Sequence, residues 1–345
     1  MPQAPTAKQY RASKMSEAKN SWVTASDVAR LAGVSRSAVS RTFTPGASVS
    51  EKTRQRVQAA ATELGYQVNI IARSMITGSS NFIGLVTAGF DNPFRSKLLA
   101  PLAHHLAIQG FMPLLMNADD PRQLEPQLRE LLSYHVAGVI LTSGAPPLSL
   151  AEEYLARKIP VTLINRQTEL DGADQVCSDN AQGATLAAHH LLAQGVTVAG
   201  FIGENAHNFS TRQRHQGFEQ ALTAHGQPLA SIFCERGGYE AGWDAAAALV
   251  AQCPDLDGLF CATDMLAMGA MDYLHRHLPQ QPIRIIGFDD IPQATYAAYQ
   301  LTTIRQDTDC LAQTAVNLLV NRIRRFEQPS VQKTIPVELV VRQSA

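Results

Sequence analysis

The stretch Ser26–Phe43, "SDVARLAGVSRSAVSRTF", decides how the N-terminal part of the chain folds. Thr24 or Ser26 is a candidate N-cap for a first helix, because a short hydroxyl accepts a hydrogen bond from an amide that has no partner inside the helix. Val28, Ala29, Leu31 and Ala32 give this helix an apolar face, and Gly33, which reaches positive φ without strain, ends it. Ser35 then caps a second short helix, in which Ala38 and Val39 face the first while Arg36, Ser37, Ser40 and Arg41 are left outward. A third helix starts at Ser50 with "SEKT", a near capping box, runs through Val57, Ala60, Ala61 and Leu64, and stops at Gly65. Three short helices of this pattern bury one small core, and the first two form a helix-turn-helix.

Charge marks off the same part of the chain. Formal net charge is −1 over 345 residues, but residues 1–77 hold eleven Lys/Arg against four Asp/Glu, about +7, and the remainder carries about −8. A basic head on an acidic body is the asymmetry expected when one part meets a polyanion and the other does not. The second helix of a helix-turn-helix enters the major groove by its N-terminal end, so Arg36 and Ser37 are placed to reach base edges, with Arg41 one turn further along. Arginine forms a bidentate pair with guanine O6 and N7, which no other side chain matches in fork geometry. Thr24, Ser40 and Ser50, at helix starts or on the exposed face, suit phosphates, which fix register without reading sequence.

With these residues, "VTASDVARLAGVSRSAVSRTF" and "VSEKTRQRVQAAATELGYQVNIIARSM" resemble the DNA-binding headpiece of the LacI/GalR family of bacterial transcriptional regulators, and the resemblance runs through nearly the whole chain from about Val23. It implies that "NIIARSM", residues 69–75, is a hinge helix formed on an operator, with Asn69 and Ala72 at the DNA and Met75 as the wedge in the minor groove, where the family usually has leucine. The expected organisation is a disordered tail at 1–21, the helix-turn-helix domain at 22–68, hinge helix and linker at 69–79, and a core at 80–345. Within the core, an N-subdomain of about 80–177 and 306–335 and a C-subdomain of about 178–305 and 336–345 are expected.

The core has a different grammar. Apolar runs rich in β-branched residues, at 82–88, 111–116, 137–142, 161–165, 198–203, 256–262 and 283–288, alternate with helical stretches such as 95–109, 183–194 and 264–277. That is an α/β architecture with largely parallel sheets. Pro126 interrupts the helical pattern of 122–134, so a late start or a kink is expected there. Ligands of such folds sit at the carboxyl ends of strands, and the loops there carry Asp91-Asn92-Pro93-Phe94, Asn165-Arg166, Thr263-Asp264 and Asp289-Asp290, with Arg214 and Tyr239 nearby in sequence motifs. The motifs "DNPF", "RHQGF", "GGY", "TDMLAMG", "GFDD" and "LTTIRQD" resemble the family's effector-binding core, itself similar to periplasmic sugar-binding proteins with two Rossmann-like subdomains. From the matched positions Asp91, Phe94, Asn165, Arg214, Tyr239, Asp264 and Asp289 are the expected effector contacts; a sugar, a sugar acid and a nucleoside fit them equally.

Other functions find less support. There is no P-loop, no nucleophile elbow and no metalloprotease helix motif, so neither an enzyme nor a cofactor is expected. His104-His105 and His189-His190 diverge by about 100° on a helix, too far apart to chelate one metal ion. Five scattered cysteines suit neither a disulfide framework nor a zinc cluster. No apolar run has the length of a membrane span, and the polar N-terminus has no signal core, which makes the cytoplasm, at the bacterial nucleoid, the expected location and excludes a membrane partner. The reading is therefore a repressor of transcription that binds pseudo-palindromic double-stranded operator DNA as a homodimer, with affinity altered by a small metabolite. The alternative is a cytoplasmic solute-binding or sugar-processing protein with a non-functional head. Dimer rather than tetramer is expected because "RQSA" follows the last strand-like run, "TIPVELVV", and leaves no room for a heptad tail.

Overall fold

Helix capping fixes the first unit residue by residue. In the computed structural model, which describes residues 22–44, 46–68, 80–118, 129–142 and 149–345, the chain divides into units at Met1–Ser80 and Asn81–Ala345. Thr24, not Ser26, caps α1 (Ala25–Ala32): its side chain accepts from the Asp27 amide, and Asp27 Oδ2 accepts from the Thr24 amide at 3.0 Å, a full capping box. Gly33 leaves α1 with φ 60°, where a side chain would be strained. Ser35 caps α2 (Arg36–Thr42) and Ser50 caps α3 (Glu51–Leu64). Val28, Val39 and Val57 are wholly buried between the helices, with Ala29, Ala32, Ala60, Ala61 and Leu64 around them. Leu31 and Ala38, expected on the inner faces, are only half-buried. Arg56 ties α3 to the end of α1 by donating to the carbonyls of Ala32 and Gly33.

The second unit contains two six-stranded sheets of matching strand order. The first runs β11-β5-β4-β3-β1-β2, and the second runs β12-β10-β9-β8-β6-β7. In chain order the strands are β1 (Phe82–Thr87), β2 (Met112–Asn117), β3 (Gly138–Leu141), β4 (Val161–Ile164), β5 (Ala173–Ser178), β6 (Ala199–Glu204), β7 (Leu229–Cys234), β8 (Gly258–Cys261), β9 (Arg284–Asp289), β10 (Thr302–Gln306), β11 (Gln332–Ile335) and β12 (Val337–Val340). All pairings are parallel except β10 with β12. Helices cover both faces, so the central strands β1, β3, β4 and β8 are buried along their whole length and read as unbroken apolar runs. The helices are α4 (Pro93–Ile108), α5 (Ser149–Ala156), α6 (Asn180–Ala193), α7 (Phe209–Thr223), α8 (Tyr239–Gln252), α9 (Asp264–His277) and α10 (Thr308–Arg324). Residues 129–133 are also helical, and Pro126 lies outside the described residues.

The chain passes between the two sheets three times. It leaves the first after β5, returns from β10 into α10, which packs on β3, β4 and β5, and crosses again between β11 and β12. The apolar run "TIPVELVV" is therefore two strands rather than one, split at Pro336, whose missing N–H cannot join a ladder. β5 and β7 do not stand out in the sequence as strands. In β5 the polar Asp174 and Gln175 break the apolar pattern, yet both are buried against partners; β7 is an edge strand, half-buried along most of its length.

Candidate functional site

Two surfaces hold the polar chemistry that packing does not consume. On the first unit, α2 presents Arg36, Ser37, Ser40 and Arg41 to solvent, while Val39 and Thr42 face inward. None of these four side chains is held by an acidic partner: Ser37 shares a hydroxyl–hydroxyl bond of 2.9 Å with Ser35, and no ion pair of Arg36 or Arg41 is found among the described residues. Thr24 is exposed, but its hydroxyl already donates to Asp27 Oδ2 at 2.9 Å. Ser50 is exposed and donates to Thr53 Oγ1 at 2.9 Å. Asn69, Ala72 and Met75 lie outside the described residues.

On the second unit an open cleft with ≈ 390 Å³ of unfilled space lies at the carboxyl ends of the strands. β4 delivers Asn165, β6 Glu204, β8 Thr263, β9 Asp289 and β10 Gln306; the start of α4 brings Phe94 and Arg95, and the start of α7 brings Ser210, Thr211 and then Arg214. The site lies where open α/β sheets bind ligands. Asn165 and Asp289 adopt positive φ, 53° and 123°, and Asp290 follows at 52°. Strain of this kind persists where the surroundings over-determine it, often at a binding site.

Arg214 is the charge centre. It is 5% exposed, donates through Nε to Asn180 Oδ1 at 2.8 Å and through Nη1 to the Ala262 carbonyl at 2.5 Å, and lies 3.5 Å from the centre of the Phe288 ring. Its nearest carboxylate, Asp289, is 3.8 Å away. Burial lowers the arginine's proton affinity, and Asp289, Glu204 and Asp264 oppose the shift; a guanidinium remains charged throughout. Burial likewise pushes the Asp289 carboxyl up to about 8, against the pull of Arg214 and of the Gln306 amide, which donates to Asp289 Oδ1 at 2.6 Å. The other side of Gln306 accepts from Asn165 Nδ2 at 3.0 Å and from Ser178 Oγ at 2.6 Å, so one amide joins the ends of β4, β5, β9 and β10. Ser210 Oγ is buried with no hydrogen-bond partner, an unusual state for a hydroxyl.

Of the residues expected from sequence to meet a small molecule, Phe94, Asn165, Arg214 and Asp289 line this cleft, and Asp91, Tyr239 and Asp264 do not. Asp91 is exposed on the loop before α4. Tyr239 is turned to Asp272, which accepts from it at 2.6 Å and from Tyr299 at 3.1 Å. Asp264 is wholly buried beneath the cleft, accepting from Thr303 Oγ1 at 2.5 Å and the Ile291 amide at 2.9 Å; burial raises its carboxyl to about 6. Arg212, beside Arg214 in sequence, is exposed and outside the lining. Arg95, Glu204, Asn208, Ser210, Thr211 and Gln306 are the lining residues that sequence reasoning missed. The only signal for Ser210 and Thr211 was the position of a helix start after a strand, and that for Glu204 was its place directly after the apolar run 198–203.

The histidine pairs serve packing. His105 faces Asp309 at 2.9 Å, and His189 makes an edge contact with His225. Among the described residues no group of three His, Cys, Asp or Glu could hold a metal ion, and no helix is long and apolar enough to cross a membrane.

Comparisons with known proteins match two separate parts of the chain. Residues 24–69 match the family of bacterial regulatory proteins called lacI, and residues 188–345 match the periplasmic binding protein-like domain. The chain is 31% identical over 323 residues to the ribose operon repressor of Halalkalibacterium halodurans, covering 92% of this chain and 96% of that one. It is 32% identical over 327 residues to the sucrose operon repressor of Pediococcus pentosaceus, covering 91% and 97%. Among solved structures, the transcriptional regulator CelR in complex with cellobiose superposes with a TM-score of 0.71 at 26% identity, over 94% of this chain and all of that one.

Proposed function

The chain belongs to the lacI family of bacterial regulatory proteins, and on that premise we propose how its residues divide the work of an effector-controlled repressor. It is a DNA-binding repressor of transcription and not an enzyme, as its relatives over nine-tenths of the chain are operon repressors; the solute-binding alternative with a non-functional head falls with that. The α2 helix enters the major groove of a pseudo-palindromic operator, with Arg36 and Ser37 on base edges, Arg41 a turn behind, and Thr24, Ser40 and Ser50 at phosphates. Asn69, Ala72 and Met75 supply the hinge contacts and the minor-groove wedge. The effector is a sugar-like metabolite in the cleft, held by Phe94, Asn165, Arg214 and Asp289. Asp91, Tyr239 and Asp264 lie outside its lining.

The observation that carries this reading is the exposed row of Arg36, Ser37, Ser40 and Arg41 on a helix whose other side is sealed into a valine core. Gel shift against genomic fragments tests it. Wild-type protein selects a subset of fragments at physiological salt, and Arg36→Ala relaxes the preference at one position per half-site, a loss of about 1–3 kcal/mol in discrimination. Equal, weak binding to every fragment overturns it.

Two copies are needed to place two headpieces on one palindrome. The edge strand β2 leaves Met112 and Leu115 exposed, with Ile108 beside it at the end of α4, an apolar border suited to a second copy in a homodimer. Light scattering returns two subunits; four would remove the dimer. Effector binding shifts the population of the DNA-competent form and releases the operator, with a reciprocal coupling of about 1–3 kcal/mol. A regulator of this kind works where the operator is, in the bacterial cytoplasm.

A further inference from the structure

Two polar groups of the cleft wall stand out among the described residues: Ser210 Oγ, buried with no hydrogen-bond partner, and the carboxylate of Glu204. Glu204 ends β6, is half-buried, and lines the cleft. Among the described residues it makes no hydrogen bond and no ion pair, although Arg214 is close enough for the two charges to influence one another. The carboxylate lies against Gly237 in the loop after β7, where a Cβ would overlap Glu204 Oε2 and displace it. Ligand entry covers that carboxylate. A half-buried carboxylate covered by a ligand needs a donor from it, since an unpaired buried charge is among the most costly states a site can hold.

Arg214 does not offset it. Two of its three guanidinium nitrogens are committed, to Asn180 and Ala262, its face rests on Phe288, and Asp289 lies nearest to its charge. Asp289 adds a second carboxyl group to the same wall, and Glu204 raises its proton affinity further. The wall formed by β6 and β9 therefore brings two carboxyl groups to the ligand, whereas the opposite lobe supplies Arg95.

We propose that Glu204 is a specificity-determining residue of the cleft, accepting hydrogen bonds from hydroxyls of an uncharged polyhydroxy ligand and rejecting the corresponding sugar acids and sugar phosphates. This rests on the cleft being the sugar-binding site. It narrows the class that the sequence leaves open, because a sugar acid of the same shape would bring a second carboxylate against one already unpaired.

The test uses the full chain and matched probes: glucose with glucuronate, galactose with galacturonate, and ribose with ribose 5-phosphate, measured by calorimetry on wild type, Glu204→Gln and Glu204→Ala. Wild type binds the neutral member of at least one pair about tenfold or more tightly than its acidic partner, and Glu204→Gln, which keeps shape and removes charge, narrows that ratio about tenfold. A merely structural role would change both members alike. Wild type binding an acidic member as well as its neutral partner overturns the inference and leaves the cleft reading standing, as does a ratio unchanged in both variants. Wild type binding no member of any pair removes the sugar reading itself, and this inference with it.

Discussion

Two arginines are buried in the second unit, one in each lobe, and they are not equivalent. Arg322, on α10, is wholly inaccessible and saturated: it holds Asp174 through two bonds of 2.6 and 2.7 Å and donates to the carbonyls of Phe326, Gln328 and Pro329. Arg214 is almost as deeply buried but stands 3.8 Å from its carboxylate, in a wall with an orphan hydroxyl and an unpaired glutamate. Burial and charge are thus shared by a clamp and a receptor. What separates them is whether the surrounding valences are filled by the protein or left for a ligand.

The sharpest break of that contrast is Arg322→Ala. It leaves Asp174 buried without a counter-charge and three carbonyls without donors, and about 3–5 kcal/mol of unfolding free energy is lost in urea titration; Arg322→Lys does not restore it, because an ammonium lacks the planar fork. Arg214→Ala costs less, about 1–3 kcal/mol, because burial already favours the neutral Asp289 carboxyl, so removing the arginine does not leave a buried carboxylate without a counter-charge. Its larger effect is functional: effector ceases to alter the gel shift while operator binding survives, and an unchanged response would move the site elsewhere.

Acidity gives a third handle. The folded Asp289 carboxyl titrates at about 8 against 3.8 in the unfolded chain, so the folded form retains a proton that the unfolded form gives up. Its contribution to stability is complete below about pH 4 and is lost as pH rises through about 8. Asp289→Asn makes the decline in melting temperature over that window shallower; an unaltered slope would assign the decline to other groups. The smallest effect is that of Ser210→Ala, which removes a hydroxyl the fold does not use. Stability changes by less than about 0.5 kcal/mol, while effector affinity falls a few-fold, the loss of one neutral hydrogen bond of about 0.5–1.5 kcal/mol.

The same contrast explains what could be read from sequence. The headpiece was legible because its determinants are local: Thr24, Ser35 and Ser50 cap helices from within three residues of the amides they satisfy, and Gly33 and Gly65 end them. The placement of Phe94, Asn165 and Asp289 around one cleft was legible from strand ends, and that of Arg214 from the motif "RHQGF". Tyr239 was not, because its hydroxyl could turn to either side of the first turn of α8, and a carboxylate 33 residues away decided the matter. Asp174 carried no signal in the sequence, because its partner Arg322 lies 148 residues later. Long-range pairing leaves no periodic trace, so it hid β5 as well as the clamp.

The edge strands β11 and β12 follow all the other strands in the chain, and each completes a different sheet. Neither lobe can close while the ribosome still holds the segment beyond residue 331. A nonsense codon near there would therefore damage both lobes at once, and the nascent chain must shelter two open sheet edges from aggregation or from chaperone triage until that segment has emerged.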